Sequence, residues 1–173
     1  EAIGDDPRLV RRRYLAAVDD LADRPELAAW AMMGLAIPTS HEVPLSENER
    51  WLRRMLRRLP DVTDPHFRMF LRGKAAMVQV LIGDPAWREL TDQIEAESGG
   101  VPRHRHAVNA YQSVAMAAAT AGHHREAGRL LAAALAGAVA AHSPKLSFRV
   151  RSALALLDYC RGDWDSLDAT VAK

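Results

Sequence analysis

Cysteine is nearly absent: Cys160 stands alone, which excludes an internal disulfide framework and points to a reducing compartment. An excess of charge of one sign is also missing. Lys and Arg total 23 against 22 Asp and Glu, a net charge of +1, whereas proteins that hold nucleic acid by neutralising phosphates carry a clear basic excess. No apolar stretch follows the N-terminus, where Asp5, Asp6 and Arg11 to Arg13 replace the core of a signal peptide. The longest run free of charge and histidine, Ala107 to Gly122, is mostly alanine and too short to span a bilayer. Ile and Thr are scarce, no segment alternates apolar with polar residues, and no Asn-Gly or Asp-Gly turn occurs, so β-structure has little support.

What remains is helix-forming. The 173 residues are 49% hydrophobic and 26% charged, enough for one folded domain with a buried core, and Ala, Leu and Arg dominate. Asp6-Pro7, Asp64-Pro65, Asp84-Pro85 and Ser143-Pro144 each set a capping oxygen before a proline at the first helical position. These signals predict helices at about 7–23, 25–37, 46–59, 65–82, 85–98, 103–121, 124–142, 145–161 and 163–173, with a loop from Pro38 to Leu45. The pattern is still helical at Lys173, and the chain is read as a fragment of a longer protein.

The helices repeat. Gly83, Gly122 and Gly162 lie 39 and 40 residues apart. Seven residues before each comes Ala76, Ala115 or Ala155, five before comes Val78, Ala117 or Leu157, and twelve before comes Leu71, Ala110 or Val150. A small residue at fixed register admits a close neighbour, and a glycine at the helix end allows a tight antiparallel turn. One hairpin cannot bury both faces, so the units are expected to stack. The expected fold is all-α, a single helical-repeat domain over 1–173, built as an α-α superhelix of antiparallel hairpins. Its best-defined repeats fall at about 65–98, 103–142 and 145–173.

Tyr111 to Leu135 resembles a tetratricopeptide repeat. Tyr111 takes the first aromatic position, Val114 and Ala115 the large–small pair, Gly122 the turn, and Ala127, Leu131 and Ala134 the second-helix positions. The closing proline is absent, and the period exceeds the usual value of about 34. This longer Ala/Arg-rich form is similar to the helical-repeat region of actinobacterial LuxR-type large ATP-binding transcription regulators, in segments such as Ala121 to Leu135 and Ala153 to Leu167. The resemblance implies a cytoplasmic, non-catalytic sensing region, without cofactor or metal, placed between a nucleotide-binding module and a helix-turn-helix. It also implies that the first helix of each pair lines a concave groove, at positions thirteen, ten and six before the turn glycine. Those positions are Asn109, Gln112 and Met116, then Arg149, Ser152 and Leu156, and Phe70, Gly73 and Met77. A peptide segment or small polar ligand suits such amide, hydroxyl, guanidinium and thioether groups, with no direct nucleic-acid contact, no membrane, and a second copy of the chain left open as partner.

Other chemistry is weakly signalled. Asp19, Asp20 and Asp23 spell DDxxD, a magnesium–diphosphate spacing whose carboxylates at i and i+4 share a helix face, or else the solvated acidic end of the first helix. Gly73-Lys74 lacks the rest of a phosphate loop, since Arg68 stands at the first glycine and Ala75 at the Ser/Thr. His104 and His106 sit about 200° apart on a helix, a poor chelate, and with His123 and His124 read as helix-start and turn residues. Arg50, Arg53, Arg54, Arg57 and Arg58 oppose Trp51, Leu52, Met55, Leu56 and Leu59, an amphipathic helix whose basic side is either solvated or meets an acidic partner or nucleic acid, with no interleaved aromatics for base stacking. Two other classes share an all-helical pattern: the TetR-type ligand-binding domain, a closed bundle, and a helical diphosphate-processing enzyme.

Overall fold

A computed structural model describes residues 6–38 and 43–171. Residues 39–42 of the expected loop and 172–173 of the expected last helix lie outside the described residues. Within them the protein is all-α, with helices α1 (Pro7–Asp20), α2 (Pro25–Ala36), α3 (Leu45–Arg58), α4 (Pro65–Leu81), α5 (Trp87–Ser98), α6 (Arg105–Thr120), α7 (His124–Ala140), α8 (Pro144–Arg161) and α9 (Trp164–Val171). No helix among them is long and apolar enough to cross a membrane.

Caps explain most of the starts. The Asp6 carboxylate accepts from the Arg8 N–H at 2.9 Å, Asp64 accepts from His66 and Phe67 at 2.9 and 3.2 Å, and the Ser143 hydroxyl accepts from Leu146 at 3.4 Å. At Asp84 the outcome differs. Its carboxylate accepts from the Ala86 N–H at 3.0 Å, but the next bond, Arg88 N–H to the Pro85 carbonyl, spans only three residues. That tighter turn delays α5 to Trp87.

The chain divides into two compact units, residues 1–71 and 72–173, with the division inside α4. In the first, α1 packs on α2 and α2 on α3. The apolar side of α3 is buried through Trp51, Leu52 and Met55, as its pattern dictates, while Arg50, Arg53, Arg54 and Arg57 remain exposed. The buried Asn48 amide donates to the carbonyls of Leu35 at 3.1 Å and Ile37 at 3.4 Å. Trp30, Phe67 and Phe70 form an aromatic cluster with ring centroids 5.4–6.4 Å apart.

In the second unit α6 packs on α5, α7 and α8, and α8 packs on α7 and α9. Gly122 and Gly162 hold φ of 84° and 69°, the left-handed region that a tight link between antiparallel helices requires. At the α7–α8 link the same region is taken by a non-glycine, His142, with φ of 50°. Gly73 explains how near α4 and α6 come: a Cβ there would stand 2.5 Å from the Ala110 Cα.

Candidate functional site

The rotation of α6 decides which side chains face outward. Seven residues make nearly two turns, so Asn109 and Met116 differ by only about 20°, while Gln112 is turned about 60° from Asn109. The contacts follow that geometry. Ala110 lies against Gly73 of α4, and the Gln112 amide nitrogen donates to the Arg149 carbonyl of α8 at 3.1 Å. Tyr111 points to α5, where its hydroxyl meets the Ser98 hydroxyl at 2.6 Å. Burial pushes the Tyr111 phenol up, with the Ser98 bond opposing.

Gln112, placed in the groove by analogy, is therefore an inter-helix residue, only 7% exposed. Its α8 counterpart Ser152 sits on the same stripe, is exposed, and bonds back to the Phe148 carbonyl at 3.0 Å. Asn109 is half-buried, Met116 and Arg149 are exposed, and Met77 and Leu156 are half-buried. Phe70 stacks on Trp30 and Phe67 inside the first unit, so the structure does not gather all the expected groove positions in one unit.

Lys74 was missed by register reasoning. It is half-buried, and burial holds its ammonium below the usual lysine range, assisted by the positive charge of Arg149. Lys74 of α4 thus feels the charge that Arg149 carries on α8. Neither α4 nor α6 carries a carboxylate, and α8 carries only Asp158, which is buried and accepts from Thr170 at 3.1 Å. The Asn109 Oδ1 and Gln112 Oε1 atoms are buried with no hydrogen-bond partner among the described residues. Such acceptors are costly to leave unpaired. The exposed Arg149 guanidinium, by contrast, is free to face a carboxylate of a peptide. The signal available in the sequence was that α4 and α6 carry no Asp or Glu and α8 only Asp158.

The other candidates resolve differently. α1 ends at Asp20, so Asp23 leaves the helix and Asp19 and Asp23 do not share a helix face. Among the described residues no group of three His, Cys, Asp or Glu is placed to hold a metal ion. The His104 ring accepts from the His106 N–H at 3.3 Å, capping α6, and the His123 ring packs on Trp87 with centroids 5.5 Å apart. Cys160 is half-buried. On α3 the Arg54 guanidinium lies over the Trp51 ring at 5.1 Å, and Arg58 donates to the Ala22 carbonyl at 2.8 Å. No protein-family model, no curated protein and no solved structure matches the chain.

Proposed function

We propose that α4–α9 form a tetratricopeptide-like row of helix pairs that serves as a non-catalytic docking surface, the sensing part of a cytoplasmic bacterial transcription regulator of the LuxR-type large ATP-binding class. The ligand is an acidic peptide segment lying along α4, α6 and α8. Its carboxylates meet Arg149, and its backbone carbonyls meet the Asn109 amide nitrogen. The observation that carries this reading is the exposed Arg149 on a row of first helices whose one carboxylate, Asp158, is buried. Electrostatic complementarity of this kind sets partner choice and speeds encounter.

The output is mechanical. The Gln112 amide bonds to the backbone of α8 one step from the Arg149 side chain, so a ligand that draws on Arg149 bears on the spacing of α6 and α8. A change in that spacing moves modules elsewhere in the parent chain.

Fluorescence anisotropy with a labelled pool of Asp/Glu-rich decapeptides, and a Lys/Arg-rich pool as control, tests the reading. Binding of the acidic pool alone is expected, weakened at least about tenfold in Arg149→Glu and less in Asn109→Ala, with helicity unchanged by circular dichroism. Equal binding of both pools, or an Arg149→Glu chain that binds as the parent does, overturns it. The parent class has its own check: coding sequence for a Walker-type loop upstream and a helix-turn-helix downstream is expected, and a gene with neither removes the assignment.

A further inference from the structure

The arginines of α3 are matched at its ends and unmatched in its middle. Arg50 meets Glu47 at 3.7 Å, Arg53 meets Glu49 at 3.4 Å, and Arg58 meets Asp61 at 3.5 Å and the Ala22 carbonyl at 2.8 Å. Arg54 and Arg57 are exposed and have no carboxylate partner among the described residues; Arg54 has only the Trp51 ring beneath it. Arg50, Arg54, Arg57 and Arg58 follow one another at spacings of three, four and one, so they crowd one side of the helix, where like charges repel. Two concave openings adjoin the unmatched pair. One, of about 460 Å³, lies between the end of α1 and α3, lined by Val18, Asp19, Met32, Arg54, Arg57 and Arg58. The other, of about 330 Å³, is lined by Arg50, Trp51, Arg54 and Arg57. Arg54 and Arg57 stand in the wall of both.

We infer that this arginine-walled cleft binds a small phosphate monoester carrying hydroxyl groups, of the size of a sugar phosphate. Arg54 and Arg57 supply two uncompensated positive charges, and a monoester is close to dianionic at neutral pH. Their forked N–H groups suit its three terminal oxygens. The Asp19 carboxylate accepts a ligand hydroxyl, and Val18 and Met32 meet the carbon skeleton. Openings of roughly 300–1,000 Å³ are the usual size for such ligands. Asp19 also decides against a polymer. With Asp20 and Asp23, both exposed, it sets negative charge beside the arginines, which repels the continuous phosphates of a nucleic acid or an anionic membrane. Nor is this a stripe that awaits a further helix: α3 already buries Trp51, Leu52 and Met55, and what it turns outward is charge. The cleft lies wholly within the first unit, residues 1–71, whereas the acidic-peptide reading rests on Arg149.

Isothermal titration calorimetry of the 173-residue chain with ribose 5-phosphate tests this, beside ribose, gluconate and inorganic phosphate. Ribose 5-phosphate is expected to bind, with ribose and gluconate at least about tenfold weaker and inorganic phosphate intermediate. Arg54→Gln and Arg57→Gln should each weaken it at least about tenfold. Asp19→Ala should narrow the preference for ribose 5-phosphate over inorganic phosphate to below about twofold. Neither Arg54 nor Arg57 makes a hydrogen bond that holds the fold, and circular dichroism checks that the variants keep their helicity. Absence of binding by both phosphates up to about 10 mM overturns the inference, as does unchanged affinity in the doubly substituted chain. Gluconate bound as tightly as ribose 5-phosphate overturns the choice of phosphate. Tighter binding of a short oligonucleotide or of phosphatidic acid vesicles overturns the choice of a small ligand. Arg149→Glu should leave sugar-phosphate binding unchanged, so this claim and the acidic-peptide reading fail separately.

Discussion

Val108, Gln112, Ala115 and Ala119 of α6 and Phe148, Ser152, Ala155 and Tyr159 of α8 stand at the same distances before Gly122 and Gly162, and meet opposite surroundings. The α6 set is small or amide-bearing and buried; the α8 set has an aromatic at each end and two small residues between, and its aromatics face solvent. Covering by a helix thus goes with small side chains and one side-chain-to-backbone bond. Openness goes with bulk at the ends, which buries apolar area only against something arriving from outside.

Overfilling should separate the two stripes most sharply. Ala115→Leu adds volume to a fully buried site and is expected to cost about 3 kcal/mol in urea unfolding, while Ala155→Leu costs less than about 0.5 kcal/mol. Next comes the polar position. Gln112→Ala removes the bond to the Arg149 carbonyl and is expected to cost about 1 kcal/mol, against near zero for Ser152→Ala, in the same assay. A gain is expected at the link between the stripes. His142→Gly relieves a left-handed backbone at a non-glycine residue and should raise unfolding stability by about 0.5–1 kcal/mol. An equal response at Ala115 and Ala155 would erase the comparison.

The smallest effect concerns Lys74. Its folded pKa lies below the unfolded one, so the contribution of this side chain is most favourable above the ordinary lysine range and is lost as pH falls through the depressed value. Lys74→Met should therefore raise the melting temperature at neutral pH, with the advantage shrinking as pH climbs toward lysine titration. A constant advantage across that range would assign the gain to packing alone.

Much of this was legible in the residues. Asp6, Asp64 and Ser143 cap where their side chains predict, because a cap is a local bond between near neighbours. Of the alanines seven residues before each turn glycine, Ala76 and Ala115 are buried and Ala155 is half-buried, since a close helix neighbour needs a small residue where there is one. The burial of Gln112 was not legible because a position carried over by analogy does not carry its rotation, and about 60° separates it from Asn109. His142 was hidden because glycine is the usual mark of a left-handed residue and here it is missing. The Trp30–Phe67–Phe70 cluster joins residues too far apart in the chain for any periodicity to reveal. The division inside α4 leaves no Pro or Gly signal at Leu71–Arg72.

Asn48 gives α2 an ending of an unusual sort. No glycine terminates that helix; a side chain from α3 secures the carbonyls of Leu35 and Ile37 instead. The clasp is held by a residue that lies beyond the connecting segment, so the segment itself is freed from finishing the helix. Lengthening or recomposing that connection should be tolerated, whereas trading Asn48 for an aliphatic residue should fray α2 from its far end inward.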